Sequence, residues 1–386
     1  MQSYTLIITE VDDIDLALEE LNAQTANIKL CKNTIGIASV NLEFLESGVY
    51  AAVVDALDFP VMGISAHSQS ANGVTGTFLM TIMVLTANDC TFAHGYSDPI
   101  PQEGDISHVT QKCYSEIRTR LDGKAALALL YSPYLVYPCP SSHLSAIADI
   151  DAEVFIYGSF ASADAANFST GTRTVYGTTV LSDRLVLVLI AGNIAPQFYI
   201  GSVAHMPPLI ENIGTVTAAH DNIVTEIDNT NVSTIISKIG FDEGDVDNMG
   251  LLSSVFIVNE RDESGNIVPV AARGLINQGN GYATFSDKVP VGAILSVGVT
   301  TKDVIVATAI DTVSKIPHGK TALMYSCLSR ELALLDEPRL EYDTIAKLLV
   351  GNVNYVVVSS GAEICPTAST AESNNAHDQT LIACVF

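Results

Sequence analysis

Residues 354–366 read NYVVVSSGAEICP, and the parsing of this stretch decides the fold. An apolar, β-branched run stops at a Ser-Ser-Gly turn, enters a small loop, and is followed further on by a second apolar run, QTLIACVF (379–386). The same order occurs twice more: FPVMGISAHSQSANG (59–73) precedes TFLMTIMVL (77–85), and EVFIYGSFASADAAN (153–167) precedes RLVLVLIAG (184–192). Each copy reads as strand, Gly/Ser turn, polar loop, strand. The apolar residues run on without alternation, as in strands covered on both faces, by helices on one side and another sheet on the other. Gly/Ser loops at such strand ends leave backbone N–H groups available to a ligand.

Helical patterns fill the intervals. Val109, Cys113, Ile117 and Leu121 recur every four residues, Glu116 and Arg120 can pair across a turn, and Gly123 stops the helix. Val232, Ile235, Ile236 and Ile239 before Gly240 repeat the pattern, and so does DEPRLEYDTIAKLLVG, with Pro338 near its first turn and Gly351 past its end. Alternating strands and helices mean an α/β fold. The expectation is two related halves, 1–210 and 211–386, divided near HMPPLIENIG (205–214), with mixed β-sheets packed face to face and helices outside in αββα-like layers.

Composition removes whole classes of function. Forty-three acidic residues against 18 basic ones leave a net charge of −25, so the clustered cations that nucleic acid requires are missing, and an anionic membrane would repel the chain. The opening MQSYTLIITEVDD lacks a basic, then apolar, leader, and the run RLVLVLIAGNIA is too short to span a bilayer. Seven cysteines, odd in number and without a C-x-x-C pair, fit a reducing compartment. The chain is therefore expected to be soluble and cytoplasmic, and the sequons at Asn167 and Asn231 carry no meaning there. No P-loop, H-E-x-x-H or G-x-S-x-G sequence occurs, and the GNG of 279–281 reads as a hairpin turn. The acidic loop GFDEGDVDNMG (240–250) lacks the alternating ligands and closing Glu of a calcium loop, so neither a metal nor a cofactor is expected.

Five segments in order, GTVTAAHDNIVTEID, VPVGAILSVGVTTKDV, YSCLSRE, SGAEICP and HDQTLIACVF, resemble the C-terminal half of the FIST family, the F-box and intracellular signal transduction sensory proteins. FPVMGISAHSQSANG with TFLMTIMVL resembles that family's N-terminal half. The family's Gly-Glu-Ile turn appears as Gly361, Ala362, Glu363 and Ile364, whereas the turn after Ser65 reads Ala66, His67, Ser68 and has no Glu. The resemblance implies a sensory input module that binds a small molecule such as an amino acid and reports to a downstream signalling protein.

The residues offer a matching chemistry. With eight arginines in the chain, Arg273 and Arg330 stand out as forks for a ligand carboxylate, although each can equally pair with an internal Asp or Glu. Glu363 in its Gly-rich turn can accept an amine, and Ser65 and His67 occupy the corresponding N-terminal loop. Cys327, three residues before Arg330, is expected to be more thiol-reactive than the other cysteines if that charge lies close; otherwise it is a buried strand-end thiol. Paired with His377 as base, Cys327 would make the alternative a cysteine- or histidine-dependent enzyme, and a protein-interaction scaffold is a third possibility.

Overall fold

A computed structural model describes residues 1–101, 106–134, 139–164, 171–241, 254–279, 281–367 and 370–386. Asn167 and residues 242–250 of the acidic loop lie outside the described residues. The α/β reading holds, and the recurring strand–turn–strand runs are the centres of three six-stranded sheets. Each sheet is built around a parallel pair: Asn33–Val40 with Val61–Ser65, Ala125–Ser132 with Phe155–Phe160, and Thr321–Cys327 with Asn354–Ser360. A helix links each pair, Val49–Asp55, Pro140–Ala148 or Leu340–Leu349, as a parallel crossover demands. The chain then returns antiparallel on the far side of the first strand, through Met80–Ala87, Val186–Gly192 or Thr380–Val385.

Successive side chains of these strands alternate between two apolar environments. Ile37, Leu129 and Leu323 enter one common core with Met62, Tyr157 and Val356, where the three sheets face one another. Their neighbours Ala38, Leu130 and Met324 face separate cores beneath the helices. Both faces are dry, so the sequence shows no polar alternation; any two sheets give helix–sheet–sheet–helix layering. The terminal strand Thr380–Val385 is wholly buried between Gln197–Ser202 and Thr321–Cys327, as its composition predicts.

The turns do something that no single unit reveals: each unit's hairpin completes a neighbour's sheet. The hairpin Gln69–Ala71/Val74–Gly76 of the first unit pairs with Asn354–Ser360 of the third. Thr174–Tyr176/Thr179–Leu181 of the second joins Val61–Ser65 of the first, and Ala362–Pro366/Asn374–His377 of the third joins Phe155–Phe160 of the second. The exchange closes a ring. Two glycines make the parallel pairs fit: a Cβ at Gly63 would lie 1.8 Å from the Ala38 carbonyl oxygen, and one at Gly158 would lie 1.9 Å from that of Leu130.

The third unit carries a large insertion between its edge strand Gln197–Ser202 and the helix Lys302–Val313. The inserted residues form a further sheet with its own core around Val216, Phe256, Phe285 and Leu295. Within it, Leu275–Gly279 and Tyr282–Phe285 pair as the hairpin that the GNG sequence predicts.

Candidate functional site

The carboxyl ends of parallel strands are where α/β proteins place ligands, and here three parallel pairs end near one another. The first unit brings Ser65, His67 and Ser68 there, the second Ser162, and the third Ser359. The Ser65 hydroxyl donates to the Ser162 carbonyl (3.0 Å), the Ser162 and Ser359 hydroxyls lie 2.8 Å apart, and the His67 and Ser68 amides donate to Ser359 Oγ at 2.9 and 3.0 Å. These serines are wholly buried or nearly so, and they satisfy the backbone groups that each strand leaves unpaired at its end. Ser65 is thus a strut between units. His67 keeps a partly exposed ring, and its Nε2 lies 3.7 Å from Glu331 Oε1. Glu331 accepts from Ser68 Oγ at 2.6 Å; burial pushes its carboxyl up to about 7, while burial lowers His67. Ser162, Ser359 and Glu331 escape a reading of the sequence because each acts on another unit's strand end.

The YSCLSRE segment lies next to this centre, and the structure buries its Arg330 and Cys327, as it buries Glu363 of the neighbouring turn. Arg330 is fully buried, with Nη2 2.5 Å from Glu341 Oε1 and Nε 3.1 Å from the same oxygen. Its remaining bonds go to Thr308 Oγ1 (2.9 Å) and to the Ile305 and Gln379 carbonyls (3.2 and 3.3 Å). Ser326 Oγ donates to the other oxygen of Glu341 at 2.7 Å. Arg330 is therefore not a ligand fork; its charge neutralises an internal carboxylate. Cys327 is buried as well, and burial together with the Glu363 and Asp378 carboxyls holds its thiol well above the ordinary range, the reverse of activation by a neighbouring arginine. Glu363 is wholly buried and accepts from Thr380 Oγ1 at 2.8 Å, while its Oε1 has no hydrogen-bond partner among the described residues. Burial, with Asp378 adding to it, pushes its carboxyl far up, so Glu363 is kept neutral and does not present a carboxylate to an amine.

Two predicted residues do come together, in a different place. A cleft of about 1410 Å³ opens between the inserted sheet and the edges of the second and third sheets, and Arg273 and His377 both line it. Arg273, at the end of Ile267–Arg273, donates through Nη1 to the Ala376 carbonyl at 3.0 Å and approaches Asp287 at 3.5 Å and Asp378 at 4.0 Å. Asp378 is raised to about 6 by burial, which Arg273 opposes. The His377 ring bonds through Nε2 to the Cys365 carbonyl at 2.9 Å, and burial, with Arg273 and His205 adding to it, lowers it to about 4. A nitrogen so engaged on an uncharged ring is no base for Cys327.

Beside Arg273 and His377 the cleft is lined by His205 and Lys288, and Lys124 stands at its far end, paired with Glu153. Phe155, Phe198, Ile200 and Val270 supply apolar wall, with the two phenylalanine rings 5.4 Å apart. His205, Lys288 and Lys124 carry no sequence signature; the fold collects them from three separate elements. Among the described residues, no group of three or more His, Cys, Asp or Glu is placed to hold a metal, and no helix is long and apolar enough to cross a membrane.

Comparison with known proteins agrees with the segments quoted above. No curated protein matches the sequence. A crystal structure of cyanuric acid hydrolase from A. caulinodans aligns over 100% of this chain and 98% of its own, at 9% identity and a TM-score of 0.37, a likeness too distant to carry an argument. Residues 34–230 match the FIST N domain and residues 239–366 the FIST C domain. The chain belongs to the FIST family of sensory signal-transduction domains.

Proposed function

We propose that this protein is a sensory input module whose ligand is a small carboxylate of amino-acid type, bound in the cleft under the inserted sheet. The observation that carries the reading is electrostatic. A chain of net charge −25 brings the cations Arg273 and Lys288 and the imidazoles of His205 and His377 to one concave site with apolar walls, where Arg273 faces Asp287 and Asp378 and Lys288 faces Asp221, so an incoming carboxylate would share these cations with internal ones. A carboxylate diffusing toward this protein meets a repulsive field nearly everywhere else. Apolar walls with a few convergent polar groups are what ligand sites share. The seven cysteines are all free, which suits a reducing, cytoplasmic setting in which ligand occupancy is passed to a signalling partner.

Calorimetric titration with a panel of amino acids and small organic acids tests the reading. Wild type should bind at least one member, and Lys288→Ala, which removes a partly exposed cation from the wall, should weaken that binding about tenfold, or ~1.4 kcal/mol. Absence of heat from every member would remove the proposed ligand class. Equal binding by wild type and variant would move the site away from this cleft.

A further inference from the structure

The first unit's exchanged hairpin turns on Asn72–Gly73, between the paired residues Ala71 and Val74. Both residues hold left-handed backbone, at φ 45° and 96°, as this two-residue hairpin turn demands. Asn-Gly is also a chemically labile pair: with no side chain on the glycine to obstruct it, the Gly73 nitrogen can attack the side-chain carbonyl carbon of Asn72. The attack forms the new C–N bond of a five-membered succinimide, while water carries the Gly73 amide proton to the side-chain nitrogen, which leaves as ammonia. Water then opens the ring at one carbonyl to give aspartate, or at the other to give isoaspartate. Asn72 and Gly73 are both exposed, so water has access to them. Of the three exchanged hairpins, this one alone turns on Asn-Gly.

The third unit engages both partners of this reaction. The Gly73 N–H donates to the hydroxyl of Tyr355 at 3.0 Å, so the nucleophilic nitrogen keeps its proton on a buried residue. Asn72 Oδ1 accepts from the Tyr355 amide at 2.9 Å, and Asn72 Nδ2 donates to Asn354 Oδ1 at 2.9 Å. Asn354 is itself fixed by Thr5 Oγ1 (2.7 Å) and Ser3 Oγ (2.8 Å) on the strand Gln2–Ile8. The carboxamide is therefore held at both ends, and the attacking nitrogen is occupied. We infer that Asn72 is a site of spontaneous modification that the assembled protein keeps closed, its side chain reacting only when the hairpin leaves the third sheet. Reaction then makes the departure hard to reverse. An aspartate in place of Asn72 presents an oxygen, not an N–H, to Asn354 Oδ1, and isoaspartate adds a main-chain atom to a two-residue turn whose register pairs Ala71 with Val74. The pairing of Gln69–Ala71 with Val356, Val357 and Val358 of the third unit depends on that turn.

The test incubates the full chain at mildly alkaline pH and follows Asn72 by peptide mapping and mass spectrometry, which resolve the mass change and the isoaspartyl isomer. Native wild type should react there at least about tenfold more slowly than the same chain in guanidinium chloride, because reaction waits on local opening. Tyr355→Phe, which keeps the buried ring and frees the Gly73 N–H, should raise the native rate several-fold and leave the denatured rate unchanged. Asn354→Ala, which releases the carboxamide at a partly exposed position, should do the same and decides the matter if the tyrosine variant does not fold. Equal rates in native and denatured wild type overturn the inference. A native rate that stays at the wild-type value in every folded variant overturns it also.

Discussion

Arg330 and Arg273 look alike in the sequence, each a rare cation after an apolar run in an acidic chain, and both face internal carboxylates, yet the fold buries one in a core and sets the other at the wall of a cleft. Beside the centre where three units meet, the Arg330 guanidinium is spent on Glu341, and Glu331 and Glu363 stand with their carboxyls raised. Around Arg273, the inserted sheet holds the guanidinium at the wall of an open cleft that His205, Lys288 and His377 also line, with Asp287 and Asp378 facing it. An ionised carboxylate without a partner in a dry core costs several kcal/mol, so the most deeply placed cation goes to neutralise one. Arg273, delivered by the added sheet, also faces carboxylates, Asp287 at 3.5 Å and Asp378 at 4.0 Å, but it does so at the wall of the cleft.

The largest test asks whether the closed centre is as structural as this contrast requires. Deleting residues 380–386 removes a strand with a sheet neighbour on each side and the buried side chains of Leu381, Ile382, Cys384 and Val385. At roughly 1.5–3 kcal/mol for each large side chain, the loss rivals the whole stability of a domain, and circular dichroism should find no cooperative melt. A truncated protein that melts at the wild-type temperature would refute the buried terminal strand. Next in size, Arg330→Ala strands Glu341 in the core and should cost about 3–5 kcal/mol in urea denaturation, whereas Arg330→Met with Glu341→Leu should regain most of it. A single variant within about 1 kcal/mol of wild type would mean that Arg330 is not committed to the core, and the comparison with Arg273 would collapse.

A third test sharpens the electrostatics. Glu331 has a folded pKa of about 7, above its ordinary 4.5, so between these values the native state holds a proton that the unfolded chain releases. Stability is then lost as pH rises through about 7, by on the order of 3 kcal/mol at ~1.36 kcal/mol per unit. Glu331→Gln should be insensitive to this change: little different from wild type at pH 4.5, more stable at pH 8, with the gap opening in between. Denaturant midpoints across that range would show it, and parallel curves for the two proteins would place the cost elsewhere. The smallest effect is chemical. Cys31 is the one cysteine that is not buried, so limited alkylation of native protein should label it first, and Cys327 only after denaturation. Early labelling of Cys327 would restore the reactive thiol at the centre.

Much of the architecture is local, and local patterns are legible. Unbroken apolar runs such as NYVVVSS announce strands covered on both faces, the spacing of Cys113 and Ile117 announces the helix Ser107–Arg118, and the glycines of VMGIS and FIYGS stand where a Cβ would strike the adjoining strand. The order of these signals also carries the FIST resemblance. Periodicity states which face of a strand is dry but not which sheet lies against it, so the exchange of hairpins among three units came only with the tertiary structure. The same limit governs the site. Arg330 is neutralised by Glu341 on a separate helix, and the cleft takes His205, Arg273, Lys288 and His377 from elements far apart in sequence. Sequence by itself determined which elements form and which side chains are scarce cations. Burial and through-space charge, properties of the assembled chain alone, decided which of those cations sink into a core and which line the cleft.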